Sequence, residues 1–244
     1  NIGASITRTV AVIGEHLRYD IEISLAQPAP RETVNAIMAS TPDVQAFEGW
    51  GEARGAVVRA DGTTGEAFQL IAPLAETKLF VPQVIAGRWL LPEDAQGMVI
   101  SHAFKLYEPE LQVGIEMIVR MNGRAAAWKI VGIVQQLGPP VAYVSYAAFA
   151  AQANQAGMVS NVRIAARDKD AAAQLRLTQR LEQQFKQAGI PIAALSTVGQ
   201  YRKVLEDHFL IIVSFLLMMS ALIVLVGGLG LMTTMSIQVI ERTR

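Results

Sequence analysis

The chain has 244 residues, 21 basic and 21 acidic side chains, and no cysteine. A formal net charge of zero leaves no basic stripe to neutralise phosphates, which excludes a nucleic-acid partner, and the lack of cysteine excludes disulfides, thiolate metal sites and cysteine nucleophiles. The 52% apolar content is inflated by one C-terminal run; the roughly two hundred residues before it read as ordinary soluble protein, enough for one large domain or two small ones.

There is neither an initiator Met nor the basic-then-apolar pattern of a secretory signal, so the chain reads as a piece of something longer. Ile2, Ile6, Val10, Ile13 and Leu17 fall on one helical face. This amphipathic stretch (1–18) suits a stalk from an upstream membrane span or a surface helix on the domain, although Gly3 and Gly14 lower its propensity.

From Tyr19 to Leu25 apolar residues alternate with Asp20, Glu22 and Ser24, the period of a strand with one wet face. After Pro28 and Pro30, Val34, Ile37 and Met38 mark a short helix over 31–40, which Thr41-Pro42-Asp43 breaks. Residues 44–59 read as a long irregular strand, bent at Gly49, Gly51 and Gly55, and Asp61-Gly62 turns it into a strand over 66–71.

A second composition starts near Pro82. It contains Gly87-Arg88-Trp89-Leu90, a short buried strand over 98–101, a helical stretch over 103–107, and two strands, 115–121 and 125–134, joined by Asn122-Gly123. Asn-Gly between apolar runs is a strong hairpin signal. A strand over 141–145 and a helix over 146–153 follow. The third stretch is strand, helix, strand: 161–166, 168–187 with Asp168 as its cap, and 190–195. Ala172, Leu175, Leu177, Leu181 and Phe185 form the apolar face of that helix, and Gly189 and Pro191 close it.

The fold class that follows is α+β. A split βαβ subdomain (19–77 and 157–197), which the family resemblance described below implies is porter-like, carries an inserted, mostly-β subdomain (78–156), and a long stalk and transmembrane helix (198–240) ends at a cytoplasmic boundary (241–244). The helix rests on the uncharged run from Phe209 to Ile240, which exceeds the roughly 20 residues a crossing requires. Arg242 and Arg244 place its far end in the cytoplasm and residues 1–208 outside it, a reading that Arg202 and Lys203 weaken.

Little here resembles catalytic machinery. His16, His102 and His208 lack metal-ligand spacing, no P-loop occurs, and Glu93-Asp94 and Asp168-Lys169-Asp170 are acidic pairs of the kind any solvated surface carries. Leu79, Phe80, Val81 and Trp89-Leu90-Leu91 line a groove or, with burial statistics in favour, form the core of the insertion. In the apolar run, Ser220, Gly227, Gly230 and Thr234 are small enough to admit a neighbouring helix, the alternative being glycines tolerated against lipid.

The stretch from Gly227-Gly228-Leu229-Gly230 to Glu241-Arg242-Thr243-Arg244 resembles the second transmembrane helix of MacB/FtsX-like ABC transporter permeases. Gly87-Arg88-Trp89, Val113-Gly114, Asn122-Gly123 and Ile130-Val131-Gly132-Ile133-Val134 resemble, in that order, motifs of the family's extracytoplasmic core domain. The resemblance implies an inner-membrane permease with this segment in the periplasm, and no catalytic, cofactor or metal site in this chain. ATP and Mg would be bound by a cytoplasmic ABC ATPase, separate or fused. Membrane lipid, a second permease copy and a periplasmic adaptor protein would be the other partners. Its implied mechanism is mechanical coupling of ATP hydrolysis to export, as in MacB-type efflux; lipoprotein release and activation of a cell-wall hydrolase are the alternatives. Tyr201, Val204, Leu205 and His208, near one face of an unbroken stalk, are the expected joint where motion enters the domain.

Overall fold

The computed structural model describes residues 16–136, 138–200 and 210–226, in two compact units, 1–198 and 199–244. In chain order the first unit runs β1 (Ile21–Pro30), α1 (Arg31–Ala39), β2 (Val44–Val58), β3 (Thr64–Ala72), β4 (Val84–Gly87), β5 (Gly97–Ser101), a 3-10 turn (His102–Leu106), β6 (Glu116–Met121), β7 (Arg124–Val134), β8 (Val141–Val144), α2 (Tyr146–Ala153), β9 (Met158–Ala166), α3 (Ala171–Gln187) and β10 (Ile192–Thr197).

Its first layer has the strand order β10-β1-β9-β2, with every neighbouring pair antiparallel. This is the interleaving of two βαβ units expected from the sequence. Alternation fixes its faces: Ile21, Ile23 and Leu25 of β1 and Val162 and Ile164 of β9 pack with Val34, Ile37 and Met38 of α1 and Leu177, Leu181 and Phe185 of α3. Each fully buried side chain of this kind contributes about 1.5–3 kcal/mol. The first strand does not stop at Leu25; it reaches Pro30, and its register with β9 breaks between Ser24 and Ala29, the stretch that contains Pro28, as a residue without an N–H requires.

Two details of α3 correct the sequence reading. Its cap is Asp170, whose carboxylate accepts from the Ala172 and Ala173 amides at 3.1 and 3.3 Å, whereas Asp168 accepts from the Asp170 amide. Ala172 and Leu175 are exposed, Leu175 to 53%, and Thr178 takes a buried place, its hydroxyl donating to the Leu175 carbonyl. The end is as expected: Gly189 at φ +71 donates to Lys186 O, and the Ile190 amide to Phe185 O, a Schellman closure.

The second strand joins two layers. Its residues 44–50 pair with β9, and from Gly51 onward it pairs with β3 and then β6. From there β2, β3, β8, β5, β7 and β6 pair in succession and return to β2, so the strands close into a ring with no free edge among them. Phe68, Leu70, Met98, Ile100, Met117, Val119, Trp128 and Ile130 fill the ring, and Phe149 of α2 joins this core. The hairpin between β6 and β7 has both turn residues at positive φ, Asn122 at +49 and Gly123 at +78, as the Asn-Gly pair demanded. The short strand β4, not foreseen in the sequence, pairs along β7.

In the second unit residues 210–226 form a helix whose large apolar side chains are exposed, apart from a half-buried Val213, between 43% and 71% for those from Met219 to Val224. Among the described residues no helix is long and apolar enough to cross a membrane. The anticipated rod over 198–240 is helical at 198–200 and 210–226; 201–209 and 227–244 lie outside the described residues.

Candidate functional site

The first layer's other sheet face carries the charge. Glu22 and Ser24 of β1 point there, as do Asn161 and Arg163 of β9 and Glu48, Trp50 and Glu52 of β2. The register sets them in rows: Glu22, Arg163 and Glu48 lie side by side across the three strands, and Ser24, Asn161 and Trp50 form the next row.

Asn161, fully buried, is the hub of one half: its side-chain nitrogen stands 3.1 Å from Glu22 Oε1, 3.0 Å from Ser24 Oγ and 2.7 Å from Glu52 Oε2, its two hydrogens shared among the three acceptors. Gln69 of β3 donates to the other oxygen of Glu52, and Ser160 Oγ accepts from the Glu52 amide, which ties the two layers together. Arg163 is the hub of the other half. It is 4% exposed, ion-paired with Glu22, and its guanidinium carbon stands 4.9 Å from the Tyr19 ring and 5.0 Å from the Trp50 ring. Its Nε has no hydrogen-bond partner. Burial pushes the guanidinium below its ordinary value, with Tyr19 opposing, but an arginine keeps its charge at neutral pH. Two rings and one carboxylate offset part of what removing that charge from water costs.

An aromatic wall adjoins this seam. Phe80 stacks on Tyr143 at 5.4 Å, tilts against Trp89 at 5.7 Å and meets Trp50 edge-on at 6.4 Å. Burial raises the Tyr143 phenol above its ordinary value; its hydroxyl donates to Gln136 Oε1. Leu79 and Leu90 are buried in this region, Phe80 and Trp89 partly so, while Val81 and Leu91 are exposed, so the favoured core reading holds for the first four and not for Val81 and Leu91.

The Gly87-Arg88-Trp89 and Val131-Gly132 motifs turn out to be two sides of one contact. Gly87 adopts φ +70, and a Cβ there would lie 2.3 Å from Val131 O; a Cβ on Gly132 would lie 2.0 Å from Arg88 O. Two backbones approach closely enough for the Arg88 amide to donate to Val131 O at 3.0 Å. Arg88 then forks onto Asp94 at 2.7 and 2.8 Å, and the Arg88 guanidinium holds the Asp94 carboxyl below the usual carboxylate range. Of the acidic pair Glu93-Asp94, then, Asp94 is a structural brace.

Of the residues singled out in the sequence, Ser220 sits exposed on the helix of 210–226. Gly227, Gly230, Thr234, Tyr201, Val204, Leu205, His208, Glu241, Arg242 and Arg244 lie outside the described residues. His16 bonds through Nδ1 to Val81 O, and His102 Nδ1 accepts from the Gln136 amide; among the described residues no group of three His, Asp or Glu is placed to hold a metal. The Glu22, Asn161 and Arg163 cluster was not foreseen. Its signal was present, since polar Asn161 and Arg163 alternate with Val162 and Ile164 as Glu22 and Ser24 do with Ile21 and Ile23, but nothing in sequence says that β1 and β9 are neighbours.

The chain shares its fold with a solved periplasmic domain. The solved structure that carries the likeness is the periplasmic region of MacB from Actinobacillus actinomycetemcomitans: TM-score 0.52, 13% identity, 80% of this chain and 96% of that one covered. The extracellular domain of the noncanonic ABC-type transporter YknZ from Gram-positive bacteria aligns at TM-score 0.47 and 13% identity over 73% of this chain and 98% of that one. A domain of a putative permease from Porphyromonas gingivalis aligns at 0.41 and 14%, over 69% and 84%. No family model matches the chain, and no curated protein does.

Proposed function

We propose that this chain is the extracytoplasmic domain and second membrane helix of an ABC transporter permease, with no catalytic site of its own. The observation that carries the reading is the fold shared with the periplasmic region of MacB over 96% of that chain. The exposed apolar helix at 210–226, inside an uncharged run that ends in Glu241-Arg242-Thr243-Arg244, supports it from the other end of the chain. On this reading residues 1–208 lie in the periplasm, 209–240 cross the inner membrane against lipid and a second permease copy, and Arg242 and Arg244 face the cytoplasm.

The work is mechanical: hydrolysis of ATP on a partner ATPase moves the stalk around Tyr201, Val204, Leu205 and His208, and the domain above follows. A porter-like layer and a ring of strands would both follow that motion, and the strand β2 that runs through both supplies their connection. MacB-type efflux with a periplasmic adaptor is the reading preferred over lipoprotein release or hydrolase activation. The test is purification of the whole polypeptide from membranes in mild detergent. An accompanying or fused nucleotide-binding subunit with vanadate-sensitive ATP hydrolysis is expected; an assembly free of any ATPase refutes the proposal.

A further inference from the structure

The connection between β3 and β4, residues 73–83, is bound down along the charged face of the first layer. Its anchor is Glu48, whose carboxylate accepts from Thr77 Oγ1 at 2.6 Å, the Lys78 amide at 2.8 Å, the Leu79 amide at 3.3 Å and Trp50 Nε1 at 2.8 Å. A carboxylate spending its acceptor sites on one short segment and on the indole beside it is a latch.

The backbone around Leu17 bonds to this strap, and Val198 packs on the cluster that holds its Leu79. On the N-terminal side the Arg18 amide donates to Leu79 O at 2.9 Å, the Val81 amide donates to His16 O at 2.9 Å, and Leu17 bridges Phe80. On the C-terminal side the Val198 amide donates to Asp20 O at 2.9 Å, and Val198 and Leu17 pack on the small cluster of Tyr19, Leu79 and Ala165. Past Leu79, the ring of Phe80 reaches Trp50, Trp89 and Tyr143, of which Tyr143 stands on β8 in the wall of the strand ring. A displacement of Leu17 or Val198 therefore has a packed route to the ring through two consecutive side chains of the strap.

Beneath this route lies a reason for it to have two positions. Tyr19 and Trp50, which the strap packs against, are the same two rings that enclose Arg163. With the strap seated, Arg163 is 4% exposed and its Nε bonds to nothing. Raising the strap would admit water to that nitrogen, and the hydration regained would offset the loss of the Glu48 bonds. Opposing contributions of similar kind allow a modest push to change the balance.

We infer that residues 73–83 are a two-position coupling strap, seated by Glu48 and opposed by the buried charge of Arg163, through which movement of Leu17 and Val198 reaches the strand ring. The inference rests on the permease reading, which supplies the movement. It places the entry point for motion on Leu79 and Phe80 inside the domain.

The test is hydrogen exchange, read by mass spectrometry on the whole permease with its ATPase, nucleotide-free and trapped with ATP and vanadate. The strap peptide over 74–83 and the peptide over 16–20 are expected to change exchange together, by about tenfold or more, because their amides share bonds. Glu48→Gln weakens the latch, so the same two peptides are expected to exchange faster by about tenfold in the nucleotide-free state, while a peptide within α3 stays protected and reports an intact fold. If the stalk peptide over 199–209 responds to nucleotide and the strap does not, the strap is no coupling element and the permease reading stands. If neither responds, both fall. A Glu48→Gln protein with unchanged strap exchange overturns the latch in either case.

Discussion

Replacing Gly132 with alanine tests how the edge of the strand ring is built. The added Cβ would lie 2.0 Å from the Arg88 carbonyl oxygen, where carbon and oxygen ordinarily approach no closer than about 3.3 Å. The obstacle is backbone on both sides, so no side-chain rotation relieves it. Separating the segments by the missing distance, about 1.3 Å on that figure, stretches the 3.0 Å bond from the Arg88 amide to Val131 O beyond any useful length. With it goes the pairing of Gly87 with Gly132. One lost backbone bond at about 1 kcal/mol, added to overpacking strain of about 1–3 kcal/mol, puts the cost at about 3 kcal/mol. In a domain of this size that lowers Tm by about 6–12 °C. Gly123→Ala is the control, because Gly123 has φ +78 and nothing within 4 Å of a Cβ; it incurs backbone strain alone, about 1–2 kcal/mol. Thermal unfolding followed by tryptophan fluorescence reads both. A Gly132→Ala protein no less stable than Gly123→Ala would refute the close-approach argument.

Arg88 keeps Asp94 ionised below the usual carboxylate range, so the stability this pair contributes is present above the unfolded pKa near 3.9 and is lost as pH falls through the lower folded value. Because Arg88 is 45% exposed, the gain is about 0.5 kcal/mol after screening; Asp94→Asn is expected to flatten that part of the stability profile below about pH 4, as measured by urea unfolding across pH. The buried cluster predicts an asymmetry. Arg163→Met leaves Glu22, 27% exposed, able to hydrate, and is expected to change stability by less than about 1 kcal/mol, whereas Glu22→Ala strands the guanidinium at a cost of about 3 kcal/mol; equal losses by urea titration would contradict the assigned burial. At the start of α3, Asp170→Ala is expected to cost about 1 kcal/mol and Asp168→Ala about half that or less, a ranking checked by the same titration.

Where one residue's neighbours along the chain decide its place, the sequence was readable. The alternation at 19–25, the Asn122-Gly123 turn, the bounds of the helix at 146–153 and the glycine closure of α3 all depend on local geometry, and all were legible. What escaped depends on pairing between distant segments. That β2 serves two layers follows from its partners changing at Gly51, and both of its halves look alike as strand. The strap at 73–83 reads as a loop until Glu48 is found beside it. Asp168 and Asp170 are equally good caps on paper, and only the start of the helix chooses. Arg163 is the clearest case: a charged residue in an apolar strand marks either an edge or a paired interior charge, and Glu22, 141 positions away by residue number, decides between them.

The measurement that bears most directly on the account is the sidedness of the chain. With no native cysteine, single cysteines at Thr63 and Thr243 in the whole polypeptide can be labelled with a membrane-impermeant maleimide on spheroplasts. Thr63→Cys is expected to react from outside, and Thr243→Cys only after the cytoplasmic membrane is opened. Labelling of both positions from the same side would contradict it.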